Sequence, residues 1–103
     1  SLISGVCLSL EPLPVTLVSF TAEAERASGS VLLKWATSVE ENNSHFEVER
    51  SVDGRVFTKI ATVLGKGTFE GLTNYQLRDF SPLSGTNYYR LKQVDLDGKS
   101  EYH

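Results

Sequence analysis

Apolar and polar residues alternate with a period of two along most of this chain. The stretch Asn87–Gly98 shows this most clearly, because Tyr89 and Leu91 fall on one face and Arg90 and Lys92 fall on the other. Successive side chains of a β-strand point to opposite sides of its sheet, so this pattern predicts a strand. We interpret it as the central strand of a small β-sandwich.

The end of this strand carries two further signals. Val94 falls out of the alternation, which predicts a β-bulge near Gln93. The pair Asp97-Gly98 is typical of a two-residue type I′ turn, in which both central residues need a positive φ. We therefore expect the chain to return as a short final strand over Lys99–Tyr102.

Five more strands are predicted upstream by the same pattern. They are separated by a turn at 23–29, a polar loop at 38–43 and a glycine-rich loop at 65–71, and they are Val15–Ala22, Ser30–Thr37, Ser44–Ser51, Val56–Val63 and Thr73–Asp79. The chain has no helical period long enough to cover a parallel sheet, which excludes an α/β fold. About seven short strands with regular turns predict an all-β fold, an antiparallel, immunoglobulin-like (fibronectin type III-like) β-sandwich.

Trp35 is the only tryptophan in the chain, and we expect it at the centre of the core. If it is buried, its indole N–H needs a hydrogen-bond partner. In immunoglobulin-like folds, a tyrosine at the start of a late strand bonds back to nearby backbone, and both Tyr88 and Tyr89 are candidates for this tyrosine corner. The alternation favours Tyr89 as the buried one. The other residues predicted to face inward are Leu33, Phe46, Val48, Tyr75, Leu77 and Leu91.

Length and composition fit one domain that needs neither metal nor disulfide. The chain has 103 residues, 40% of them hydrophobic, and its one cysteine, Cys7, excludes an internal disulfide. The net charge is −3 with both signs interspersed, which argues against a nucleic-acid partner, since nucleic acid requires a basic face. No apolar run approaches the length of a membrane-spanning helix.

The first 14 residues are interpreted as a linker or entry segment, and residues 15–103 as the domain. Pro12 and Pro14 lack backbone donors, so strand pairing should begin after them. Ser1–Leu10 is apolar enough to be the tail of a signal peptide, but it lacks a basic leader and a small-x-small cleavage site. The chain starts without methionine and ends at His103 within a strand. We therefore expect a piece of a longer protein whose last strand is truncated.

Four phrases of the sequence occur together, and in this order, in a known family of modules. They are Pro12–Phe20 (PLPVTLVSF), Val31–Trp35 (VLLKW) with Glu40-x-Asn42-Asn43, Phe46–Gly54 (FEVERSVDG) with Phe57, and Asn87–Gly98 (NYYRLKQVDLDG). The chain resembles the immunoglobulin-like, fibronectin type III-like modules of large Gram-negative proteins exported by type IX secretion, where they lie next to the C-terminal sorting domain. The resemblance implies a secreted or cell-surface location and neighbouring domains in a larger chain. It implies no activity.

The motifs that could carry chemistry are interpreted as structural. Asp95–Gly98 with Glu101 begins like a calcium loop, but a full loop has twelve residues and ends in a bidentate glutamate. Gly65–Thr68 lacks the spacing of a phosphate-binding loop. The two histidines, His45 and His103, are too far apart in sequence to make a metal triad without acidic help.

Paired glutamates are the remaining candidates for catalysis. Glu40-Glu41, or Glu47 with Glu49, could supply a glycosidase acid and base only within a walled cleft. A sandwich of this size has little material for such a cleft. We therefore predict no catalytic residue, no metal site and no cofactor.

Exposed aromatic residues are the better lead to a function. Phe69, and Tyr88 with Arg90 and Lys92, form the candidate ligand-binding set, and the simpler alternative is that each packs against its strand neighbours. Our first hypothesis is a non-catalytic structural spacer in an exported protein, and the alternative is an adhesion module that binds a glycan or a surface protein. A bare edge at Ser100–His103 would also allow strand addition and dimerisation.

Overall fold

The computed structural model describes residues 15–103, which form five antiparallel β-strands. They are β1 (Val15–Glu25), β2 (Ser30–Ser51), β3 (Thr58–Asp79), β4 (Tyr88–Asp95) and β5 (Ser100–Tyr102). This part of the chain contains no helix, and so none that could span a membrane. The all-β prediction is confirmed. The predicted linker at 1–14, with Cys7, lies outside the described residues.

All five strands belong to one sheet, and β2 is the strand that organises it. The order is β1–β2–β4–β5, and β3 pairs with β2 as well. Residues 30–40 of β2 lie between β1 and residues 69–79 of β3, and we call this part the first half of the sheet. Residues 43–51 of β2 have β4 on one side and residues 58–67 of β3 on the other. Together with β5, which pairs with β4 at the edge, these segments form the second half of the sheet. The stretch 87–98 is therefore not the central element; β2 is.

The sheet curls because β2 bends in its middle. Eleven residues of straight strand would span about 36 Å, yet the rings of Trp35 and Phe46 on this one strand are 5.7 Å apart. The bend falls where the pairing with β3 shifts register, between Glu40 and His45. Asn42 lies there with a φ of 53°, the only non-glycine residue in 15–103 with a positive φ. The two halves of the sheet consequently face each other.

An aromatic cluster fills the space between the two halves. Trp35 is 1% exposed; it stacks on Tyr75 at 5.5 Å and meets the edges of Phe20 and Phe46. Tyr75 and Leu77 are half-buried and pack against this cluster. The fully buried apolar side chains around it are Val15, Leu33, Phe46, Val48, Tyr89 and Leu91.

Two predicted loops are in fact parts of long strands. The polar stretch 38–43 continues β2, and the glycine-rich stretch 65–71 continues β3. Register shifts, with positive φ at Gly67 and Gly71, let the backbone curl there without losing its pairing. The seven strands predicted from sequence are therefore five continuous ones. The predicted turn at 23–29 is also shorter, since β1 continues to Glu25.

The bulge predicted near Gln93 is not on β4, because the β2–β4 register shifts only past Val94, between Asn43 and His45 of β2. β4 keeps its register against β2 from Tyr88 to Val94, so Gln93 occupies the inward position after Tyr89 and Leu91. It is 1% exposed, and its amide donates to the Asp95 carboxylate at 2.8 Å. A polar residue simply occupies a buried position of an unbroken strand.

The hairpin between β4 and β5 is confirmed, but its turn type is not. Asp95 N–H donates to the Lys99 carbonyl, and Gly98 N–H donates to the Asp95 carbonyl, which leaves a three-residue loop over 96–98. Of these loop residues only Gly98 has a positive φ, at 90°, whereas a type I′ turn needs two such residues.

Gly98→Ala should therefore destabilise the protein by about 1–2 kcal/mol, because an L-residue pays this cost at such a φ. A Cβ at this position would meet nothing within 4 Å, so the effect is purely conformational. Urea denaturation would measure it, with Gly98→Asn as the matched control, since asparagine tolerates this region better. Equal midpoints for Gly98→Ala and the parent chain would contradict the assignment.

Candidate functional site

Three of the four candidate binding residues lie on the outer face of the second half of the sheet. Tyr88, Arg90 and Lys92 alternate along β4 and are each half-exposed. Phe69, 40% exposed, lies instead on β3 opposite Glu40, near the bend of the sheet. Arg90 is opposite Glu49, nine positions further along β2. The structure therefore does not bring Phe69 together with the other three.

Arg90 is held on this outer face by two aromatic rings and a carboxylate. Its guanidinium lies between the rings of Phe57 and Tyr102, with its central carbon 4.1 Å and 4.0 Å from their centroids. Its Nε donates to Glu49 at 2.6 Å. The Lys92 ammonium also lies over the exposed Tyr102 ring, 5.9 Å from its centroid. Each such cation–π contact contributes about 0.5–1 kcal/mol at exposed sites. The stack of Phe57, Arg90 and Tyr102 therefore holds β5 and the segment around Phe57 against β4.

Phe69 has its own local environment. The ammonium of Lys66 lies 4.8 Å from the centre of its ring. The ring also lies close to Gly71, where an added Cβ would come within 3.1 Å of one of its carbons. Phe69 is thus a partly covered aromatic with one cation, and no second exposed aromatic is recorded in contact with it among residues 15–103.

A buried carboxylate at the bend was not predicted. Glu40 is fully buried and accepts hydrogen bonds from the Thr37 hydroxyl, the Asn43 amide, the Lys66 backbone N–H and the Tyr75 hydroxyl. Burial alone would raise the pKa of Glu40, but these four donors outweigh it and lower the pKa below the usual value. Both carboxylate oxygens are occupied by the fold, so Glu40 has no free oxygen for a substrate.

A second unpredicted cluster joins the two halves at the opposite end of the sheet. Arg50 donates from one nitrogen to both oxygens of Asp79 at 3.0 Å and to the Ser81 carbonyl at 3.1 Å. The Tyr89 hydroxyl donates to Asp79 at 2.8 Å. Tyr89 is therefore the buried tyrosine of the pair, and its hydroxyl bonds a carboxylate ten residues upstream, not the backbone. Arg50 and Asp79 lie opposite each other across the core, which ties the halves together.

The pKa directions in these clusters predict that acid destabilises the protein. Burial would raise the pKa of Asp79, but hydrogen bonds from Tyr89, Arg50 and Ser81 lower it, as those to Glu40 do. A carboxyl with a lower pKa in the folded state contributes stability that is full above its unfolded pKa, about 4, and is lost as pH falls below it.

The urea midpoint should consequently fall between pH 7 and pH 3. Asp79→Asn, which cannot ionise, should show a smaller fall than the parent chain. An exposed carboxylate provides the matched control, and Glu41→Gln should keep the full pH dependence. A midpoint that is the same at both pH values would contradict the role of these carboxylates.

The remaining sequence candidates occupy structural positions. The Asp97 carboxylate accepts from the Lys99 backbone N–H, and Asp95 accepts from Gln93. His45 lies on the outer face and contacts Glu47 at 3.1 Å. Within residues 15–103, no group of three or more histidine, cysteine, aspartate or glutamate side chains is arranged to hold a metal ion.

Compared with known proteins, the chain matches no family model, no curated protein and no solved structure. The resemblance to modules of exported proteins therefore depends on its four sequence phrases alone.

Proposed function

We propose that this chain is a non-catalytic structural module, a spacer between neighbouring domains of an exported, surface-associated protein. The observation that carries this proposal is that one curled sheet encloses a single packed core. Trp35 stacks on Tyr75 of β3 and meets the edges of Phe20 from β1 and Phe46 from the far part of β2. A rigid body with one such core can hold neighbouring domains at a fixed distance from each other.

The engagement of the polar side chains supports the same proposal. Carboxylates can serve as general acids and bases, and here the buried Glu40, Glu49 and Asp79 are each hydrogen-bonded within the fold. Their bonds join strands and halves of the sheet. Glu40 also accepts within its own strand, but its bonds from Lys66 and Tyr75, like those of Glu49 and Asp79, cross between strands that must stay together.

The strand pairing supports a finer description of the fold as well. If β2 is divided at its bend into two strands, and β3 likewise, the sheet has seven segments. One layer then pairs β1, 30–40 and 69–79, and the other pairs 58–67, 43–51, β4 and β5. This is the strand arrangement that we expect of the fibronectin type III-like sandwich, and we include it in the proposal.

A distance measurement tests the spacer role. The full chain is placed between two folded fluorescent reporter domains, and energy transfer is followed through urea denaturation. The long dimension of the fold is 36 Å, so the transfer should stay constant up to one cooperative unfolding step. A glycine–serine linker of equal length is the control, and its reporters should sample a broad range of distances. A broad range for the folded chain would overturn the proposal.

The stack of Phe57, Arg90 and Tyr102 favours a second candidate function, adhesion to a glycan or a surface protein. Tyr102 is 48% exposed and its ring is already oriented by two cations. A pre-ordered aromatic loses little side-chain freedom on binding. A glycan array with the full chain, repeated with Tyr102→Ala, tests this. Hits that disappear with Tyr102→Ala support adhesion to a glycan. An array without hits rules out adhesion to the glycans tested.

A further inference from the structure

The outer face of the first half of the sheet carries a polar trough that the sequence did not point to. Its lining comes from two rows across β1, β2 and β3. One row is Ser19–Ala36–Asn74, and the next is Thr21–Lys34–Gln76. The trough has a volume of about 440 Å³, within the range of small-ligand sites, about 300–1,000 Å³.

Ala36 creates this trough. It occupies the middle strand with only a methyl group, while longer side chains surround it on both neighbouring strands. Trp35 and Tyr75 also line the trough, and because side chains alternate they do so from beneath, with their rings in the core. The floor therefore lies directly on the stacked rings at the centre of the fold, which makes it rigid.

The polar side chains of the trough are not engaged by the protein. Ser19, Thr21, Lys34, Asn74 and Gln76 are all exposed, and within residues 15–103 none of their side chains has a recorded hydrogen bond or ion pair. The outer face of the second half differs, since His45 bonds Glu47 and Arg90 bonds Glu49 there. The charge of Lys34 contributes, after the hydrogen bond and charge of Arg78, to a lowered pKa of Glu25, and that carboxylate is itself paired with Arg78.

The dimensions and chemistry of the trough select one ligand class. Three strands at about 4.8 Å spacing give a width of about 10 Å, and two rows give a length of about 7 Å. The trough is too short to hold an extended peptide of more than a few residues, but its length and width fit a single sugar ring. Hydroxyls and amides both donate and accept, as sugar hydroxyls do, and the Lys34 ammonium can pair with a carboxylate.

We infer that this trough binds a carboxylate-bearing sugar, a hexuronate unit, with Lys34 on its carboxylate and Asn74 and Gln76 on its hydroxyls. This site is independent of the spacer role and lies on the opposite half of the sheet from Arg90 and Tyr102. The binding is weak per unit because the trough is open, and it becomes useful when many units are presented along an acidic polysaccharide.

Titration of the full chain, labelled with ¹⁵N, tests the inference. Glucuronate is the probe, glucose is the neutral sugar control and acetate is the plain anion control. We expect saturable shifts of the amides around Ala36, Asn74 and Gln76 with glucuronate, and weaker or no saturation with either control. Lys34→Gln should weaken glucuronate binding about twofold to fivefold, as the loss of an exposed ion pair does. Lys59→Gln, on the second half of the sheet, should leave it unchanged.

Two further variants keep the test decisive. Ala36→Leu fills the floor and should abolish binding while the dispersion of the spectrum shows that the fold persists. If that variant does not fold, Asn74→Ala at the exposed rim should weaken binding without any structural change. Amide shifts that never saturate with glucuronate would mean that this face is only hydrated and has no binding site, and they would overturn the inference. Shifts located around Arg90, or equal binding of glucose and glucuronate, overturn it too.

Discussion

Replacing Trp35 by alanine should lower the free energy of unfolding by about 3–5 kcal/mol, the usual cost of removing a large buried aromatic. The total stability of a domain is about 5–15 kcal/mol, so this single change removes much of it. Trp35 is 1% exposed and contacts rings from β1, β3 and the far part of β2. Its loss leaves the two halves of the sheet facing a cavity.

Urea denaturation followed by circular dichroism measures this effect. Phe80→Ala is the matched control, because Phe80 is an aromatic that is 75% exposed, and its removal should change the stability by no more than about 0.5 kcal/mol. Trp35→Phe should be milder than Trp35→Ala, since the indole nitrogen has no recorded hydrogen-bond partner within residues 15–103. Similar midpoints for Trp35→Ala and Phe80→Ala would show that the core lies elsewhere.

Glu40→Ala should be as damaging, with an expected loss of about 3–5 kcal/mol, because several donors lose their acceptor at once. The carboxylate accepts four hydrogen bonds at the bend of β2. Without it, the Thr37 hydroxyl, the Asn43 amide and the Tyr75 hydroxyl would stay buried without an acceptor, at about 1–3 kcal/mol each. The bend would lose the group that fixes its geometry.

Thermal unfolding at pH 7 measures this second effect, and the adjacent residue supplies the control. Glu41 is exposed, so Glu41→Ala should stay within about 0.5 kcal/mol of the parent chain. Glu40→Gln should fall between the two, because the amide keeps one acceptor oxygen but brings an NH₂ group toward donors. Equal midpoints for Glu40→Ala and Glu41→Ala would refute the role assigned to this carboxylate.

Side-chain alternation was sufficient to predict where the core lies. Leu33, Trp35, Phe46, Val48 and Leu91 are buried because each keeps the parity of its strand, which is a local property of the sequence. Strand ends were harder, because the polar stretch 38–43 and the glycines of 65–71 look like loops when only composition is considered. Their pairing depends on partners 24 to 31 residues away, which no local signal reports.

The polar clusters were missed for a related reason. Glu40, Arg50 and Asp79 are stabilised by donors and acceptors from distant strands, so their burial follows from the curl of the sheet. Gln93 could have been found, since it continues the parity of Tyr89 and Leu91. Gln93 is polar, which suggests a bulge, but its position two residues after Leu91 predicts an inward-facing side chain. The trough around Ala36 needs three strands in register and is not visible in any one of them.

The unbroken course of β2 and β3 has a consequence for how this molecule comes apart. Each of these strands contributes to both halves of the sheet, so neither half has a boundary at which it could detach while the other remains native. Amide hydrogen exchange should then find a single opening unit spanning the core, with early exchange confined to the chain ends and turns. Under mechanical load the molecule would yield all at once, without a partly extended intermediate.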